Sequence, residues 1–169
     1  MPARTPSAEP AGYLKVDAVI RISTPIHTTI TMPTLATKPY LTLADVQRIG
    51  DAARTEAQSH QWAVTIAIVD DGGHLLWLQR LDGAAPISAH IAPAKAHTAA
   101  LGRRESRLYE EMINQGRHSF LSVPTIEAML EGGVPIMVDG HCLGAVGVSG
   151  VKSGEDAQIA KAGIAALGA

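Results

Sequence analysis

Apolar residues along the chain change period several times, and each change marks an element. Residues 14–24 and 26–32 alternate Val16, Ala18, Ile20 and Ile22 with Asp17, Val19 and Arg21, a strand-like period of two broken by Pro25 and ended by Pro33. From Thr42 the period lengthens. Leu43, Val46, Ile49, Ala52 and Ala53 repeat at helical spacing to about Ser59, with Thr42 as N-cap and Asp45 completing a capping box. Residues 62–70 read as a strand, Asp70-Asp71-Gly72-Gly73 as a tight turn and 74–81 as its hairpin partner. Pro86 opens a helix predicted to reach about Leu101. Ser106 caps a shorter helix to Asn114, and 117–133 read as loop or at most a short strand. A second hairpin runs Val134–Val138, Asp139-Gly140, Cys142–Val148, and a closing helix spans Gly154–Leu167. Strands joined by two-residue turns are antiparallel, so these elements predict an α+β layered domain. It begins near Leu41, after a flexible lead (1–12) and an arm (13–33) suited to pairing with a sheet edge.

Composition narrows the function classes. Hydrophobic residues make up 46% of the 169, enough for a core, but aromatics only 4%, so the core is aliphatic and base stacking is not expected. The formal net charge of −2 argues against a nucleic-acid partner. Cys142 is the only cysteine, so no intrachain disulfide forms and zinc ribbons are excluded. No apolar stretch is long enough to cross a membrane, and the first 15 residues lack the apolar middle of a secretory signal; the expectation is a cytoplasmic protein.

The helix at 86–101 carries the most polar chemistry. His90, Ala94, His97 and Leu101 share one face, with Lys95 on the opposite flank beside Ile91 and Thr98. His90 and His97 stand two turns apart, about 10 Å, which is too far to clamp one ion but suits a large flat ligand or axial ligation of its iron. Lys95 either binds a carboxylate or propionate from a desolvated position or snorkels to solvent. Asp70 ends a strand and serves the turn or faces a pocket. Arg80 and Asp82 either orient an anion or pair with each other. Gly132-Gly133 either offers backbone amides to a carboxylate or simply turns. Glu155 and Asp156 suit the first turn of the last helix as dipole partners. The glycines at 144, 147 and 150 lack the βαβ setting of a dinucleotide fingerprint, and no His-Glu-x-x-His or Gly-x-Ser-x-Gly motif occurs.

The runs VDDGG (69–73), RLDGA (80–84), AKAHTAA (94–100), GGVPI (132–136), DGHCLGAVGVSG (139–150) and EDAQIAKAGIAAL (155–167) resemble, in order and spacing, the GlcG/HbpS family of haem-binding-like proteins. That family includes the C-terminal domain of PduO-type corrinoid adenosyltransferases. The resemblance covers about residues 41–168. It implies a profilin-like α/β/α domain with a five-stranded antiparallel sheet, hence an extra strand within 123–131. It also implies a homo-oligomer, and haem in some members. Lys95 and Thr98 match the family's Lys-Ala-x-Thr-Ala pattern. The position of His97 varies, so its use as iron ligand is an inference from this chain.

Three functions follow. The first is a haem-binding oligomer with His97, then His90, as axial ligand and Lys95 or Arg80 on a propionate; Thr98, Gly132 and Gly133 complete the candidate binding set. The second is a small-molecule enzyme moving a proton on a carboxylate substrate, with Lys95 as base or cation, Asp70 or Asp82 as partner and the Gly132-Gly133 amides as carboxylate holder. The third is a non-catalytic accessory subunit.

Overall fold

The computed structural model describes residues 35–168. The predicted lead and arm lie outside the described residues. Helix α1 (Leu43–Ser59) starts on the expected capping box: Thr42 Oγ1 accepts from the Asp45 amide at 3.3 Å, and the Asp45 carboxylate accepts from the Thr42 amide at 3.0 Å. Its buried stripe is Val46, Ile49, Ala53 and Ala57. Strands β1 (Thr65–Asp70) and β2 (Leu75–Arg80) form the first hairpin. Helix α2 (Ser88–Gly102) begins two residues after Pro86, because Pro86 and Ile87 are spent on a turn in which the Ser88 amide donates to the Ala85 carbonyl. Helix α3 (Arg107–Asn114) follows Ser106 as expected, but the Ser106 hydroxyl makes no cap bond. It donates to the Leu130 carbonyl and accepts from the Gly133 amide instead. A 3₁₀ turn (His118–Ser122) precedes the second hairpin, β3 (Gly133–Val138) and β4 (His141–Ser149), and α4 (Ser153–Ala165) closes the described chain.

The sheet is antiparallel throughout, in the order β2-β1-β4-β3. Among the described residues it has four strands, which corrects the expected five. The stretch 123–131 forms no strand. Pro124 lacks an amide to donate, Ala128 sits at φ +45°, and the side chains of His97, Thr98 and Ser106 take up carbonyls a ladder would need.

Alternation along β1 and β4 assigns the two faces. Ile66, Ile68, Val146 and Val148 point to one side and pack with Ile49, Ala53, Ile159 and Ala160 of α1 and α4. Each fully buried isoleucine there contributes about 1.5–3 kcal/mol. The other face carries small residues, and Val69 and Ala145 meet Ala96, Ala99 and Ala100 of α2. Gly147 makes this approach possible: a Cβ there would stand 2.1 Å from the Ala92 carbonyl oxygen. The alanine-rich α2 therefore lies with its backbone directly against the centre of the sheet. Its two free flanks carry the chemistry.

Candidate functional site

One flank of α2 lines a cleft of about 480 Å³. His90, Pro93, Ala94, His97 and Leu101 form its floor, Val69, Gly73 and Leu75 of the first hairpin one wall, and Pro124, Thr125 and Glu127 the other. The face read from helical spacing is thus the face that lines the cleft. His97 is half-buried and held on both sides: Nδ1 lies 3.2 Å from the Gly73 carbonyl oxygen and Nε2 3.1 Å from that of Thr125. A neutral imidazole has one N–H, so it donates to one carbonyl, and only the cation donates to both. Gly73 turns at φ +82°, and a Cβ on it would come within 2.5 Å of His97 Nδ1; the tight turn of the first hairpin is what seats the ring. His90, two turns earlier, is exposed.

Lys95 occupies the other flank. Its Nζ donates to Asp156 Oδ2 at 2.9 Å and to the Val148 carbonyl at 3.0 Å, and the two side chains are only 4% and 3% exposed. Asp156 Oδ1 also accepts from the Val151 amide at 3.3 Å. Burial pushes the Asp156 carboxyl above its ordinary value, with the Lys95 bond and charge opposing that rise. The carboxylate that Lys95 binds is therefore one of the chain's own. Asp156 was legible only as a dipole partner at the start of α4. That work falls to Glu155, which accepts from the Lys152 amide at 3.2 Å. The overlooked signal is spacing: Asp156, Ile159, Ala160 and Gly163 share the buried stripe of α4.

The remaining candidates disperse. Thr98 is fully buried and donates to the Glu127 carbonyl. The Gly133 amide donates to Ser106 Oγ at 2.9 Å, the Gly132 carbonyl accepts from the Val148 amide, and a Cβ on Gly133 would meet the Lys95 carbonyl at 2.2 Å; the pair lets β3 cross α2 closely. Asp70 Oδ1 accepts from the amides of Gly72 (2.9 Å) and His74 (2.8 Å), and the His74 ring stands 3.2 Å away. Partial burial raises the Asp70 carboxyl, but these bonds outweigh it and hold the group below its ordinary value. Arg80 and Asp82 lie at the other end of the hairpin, beside a groove of about 660 Å³ shared with Arg54, Gln58, Gln61 and Trp62. In register Arg80 faces Thr65, the first residue of β1, and Asp70 is the last, so about 17 Å of strand separates the two ends. The structure brings His90 and His97 together. It does not bring Lys95, Asp70 and Asp82 into one cavity, nor Arg80 near His97. Among the described residues no cluster of His, Cys, Asp and Glu is arranged to hold a bare metal ion, and no helix is long and apolar enough to cross a membrane.

An α/β/α domain whose helix α2 lays an apolar, imidazole-bearing flank along a cleft has the concave, mostly apolar form of small-ligand sites. Residues 41–165 match the family described as haem degrading protein HbpS-like, and the chain belongs to that family. It is 53% identical over 115 residues to protein GlcG of Escherichia coli K12, covering 68% of this chain and 85% of that one. The crystal structure of an HbpS double mutant from Streptomyces reticuli superposes with a TM-score of 0.73 at 29% identity, over 99% of this chain and 100% of that one. The crystal structure of a PduOC–haem complex superposes with a TM-score of 0.69 at 28% identity, over 76% and 95%.

Proposed function

We propose that the protein binds haem in the cleft along α2, with His97 as axial ligand through Nε2 and His90 as the secondary imidazole at the exposed end. The observation that carries this reading is the seat of His97. With the proton on Nδ1 donating to the Gly73 carbonyl, Nε2 offers its lone pair at the wall of a cleft lined by Val69, Leu75, Pro93, Ala94 and Leu101, where the Thr125 carbonyl 3.1 Å away gives way to the ligand. An anchored imidazole amid apolar surface is the donor set that ferric or ferrous porphyrin iron takes. The haem complex of PduOC, a structural relative, supports the same reading.

The fit extends to the macrocycle and the iron but not to a propionate clamp. Among the described residues no Lys or Arg lines the cleft, Lys95 is committed to Asp156, and Arg80 lies at the far end of the hairpin. Bound haem would supply ligand-binding and redox chemistry at its iron. The chain's own part is to hold the imidazole, exclude water from one porphyrin face and set the polarity around it. The protein assembles as a homo-oligomer in this reading, because β2, at the edge of the described sheet, exposes Leu76 and Leu78 on one face that a second copy would cover.

Titration with haemin tests the site. Wild-type protein gives a saturable, sharpened Soret band at one haem per chain, and His97→Ala shifts or abolishes it. A His97→Ala spectrum and affinity indistinguishable from wild type overturns the assignment.

A further inference from the structure

The geometry points to a strap over the cleft: residues 123–131 close it, and His97 is both the proposed ligand and the latch. This inference rests on the haem reading for what opens the strap, but the strap itself stands on the chain's own contacts. Four side chains hold it: two from α2, that of Ser106 just ahead of α3, and one from α3. His97 Nε2 meets the Thr125 carbonyl at 3.1 Å, Thr98 Oγ1 donates to the Glu127 carbonyl, Ser106 Oγ donates to the Leu130 carbonyl, and the Glu110 carboxylate accepts from the Glu131 amide at 2.7 Å. Against these, the backbone bonds within the stretch are two short-range ones, Ile126 to Val123 and Leu130 to Ala128. Segments tied by a few side-chain bonds and outside any ladder open at low free-energy cost.

The two ends of the strap are not equivalent. The 130–131 end is tied to buried Ser106 and runs into β3, whereas Pro124, Thr125 and Glu127 are exposed and form the wall of the cleft. Ala128 lies between the two ends in the left-handed region at φ +45°, a conformation a non-glycine residue holds only where its surroundings enforce it. It is the natural hinge. In the closed strap Nε2 carries the proton and donates to the Thr125 carbonyl; ligation needs that nitrogen bare, with the imidazole proton on Nδ1 facing the Gly73 carbonyl. One nitrogen serves the carbonyl or the iron, never both, so ligation takes place only on the open form. Apparent affinity is then the intrinsic affinity scaled by the open fraction. Thr98 is a positioning residue: it touches no ligand and sets that fraction through its bond to Glu127.

Hydrogen exchange followed by mass spectrometry on the full chain without haem tests this directly. Thr98→Val removes one strap bond at nearly constant volume. Exchange over 123–131 is expected to quicken about fivefold, a net hydrogen bond of about 1 kcal/mol converted at 1.4 kcal/mol per tenfold. Thr98→Ser, which keeps the hydroxyl, restores slow exchange, and α4 peptides are unaffected in both. The same Thr98→Val change raises apparent haemin affinity by the same factor, and in haemin-saturated wild type the strap exchanges faster than in the free protein. Unchanged strap exchange in Thr98→Val, or a strap equally protected with haemin bound, overturns the proposal. Should haemin fail to bind at all, the function proposed above falls, while the exchange of the haem-free variants still decides whether the strap exists.

Discussion

The buried pair between α2 and α4 offers the sharpest test of how the fold is held. Replacing Asp156 by Leu leaves the Lys95 ammonium with only the Val148 carbonyl, in a site where its side chain is 4% exposed. At the 2.9 Å separation of the pair, and with an effective dielectric of about 20, the lost attraction is about 6 kcal/mol gross. The desolvation of Asp156 that the variant avoids offsets part of it. Removing one member of a buried pair costs about 3–5 kcal/mol net. Unfolding entropy near 2.1 cal/mol/K per residue over the ~130 residues from Thr37 onward converts this to a fall in Tm of about 11–18 °C. Thermal unfolding followed by circular dichroism reads it. The double variant Lys95→Met with Asp156→Leu removes both charges at similar volume and recovers most of the loss, so the two substitutions are strongly non-additive. An Asp156→Leu loss below about 1 kcal/mol, or strict additivity in the double variant, refutes the claim that these two groups depend on each other.

Other outcomes follow from single contacts. Gly147→Ala places a methyl 2.1 Å from the Ala92 carbonyl and pushes α2 off the sheet, at a cost of about 1–3 kcal/mol in urea unfolding. Asp70 is ionised more readily folded than unfolded, so its contribution is complete above the ordinary carboxylate range and disappears as pH falls through its lower folded value. Asp70→Asn therefore flattens the acid side of a Tm-against-pH curve while, with solvent screening the exposed carboxylate, lowering stability at neutral pH by about 1 kcal/mol or less. Leu78→Lys on the exposed edge strand lowers the association state in light scattering, whereas an unchanged mass removes β2 from the assembly argument.

Local pattern was enough for most of the fold. The Thr42–Asp45 box and the stripe of α1, both hairpins, and the flank of α2 bearing His90, Ala94, His97 and Leu101 were all legible, because each depends on neighbours within a turn or two of helix or a tight loop. What was not legible depends on residues far apart in the chain. The spacing put Lys95 on the flank opposite His97 but left open whether it is buried or reaches solvent, and nothing local set it beside Asp156, 61 positions away. Gly132-Gly133 could be read as open amides or as a turn, because nothing local shows that the Lys95 carbonyl presses against one of them. Arg80 and Asp70 share a hairpin, and only the register reveals that they stand at opposite ends. The fifth strand came from family resemblance, not from periodicity. The stretch that was to supply it is taken up by side-chain bonds to Thr98, Ser106 and Glu110.

The most direct test of the central claim is chemical rescue at His97. His97→Gly removes the imidazole and leaves a gap beside Gly73 and Val69, so the haemin complex of the variant loses the Soret signature of axial nitrogen ligation. Millimolar free imidazole added to that complex is predicted to enter the gap and restore the wild-type spectrum, while having no effect on His90→Gly. A His97→Gly complex that already shows the wild-type spectrum without imidazole would contradict the account.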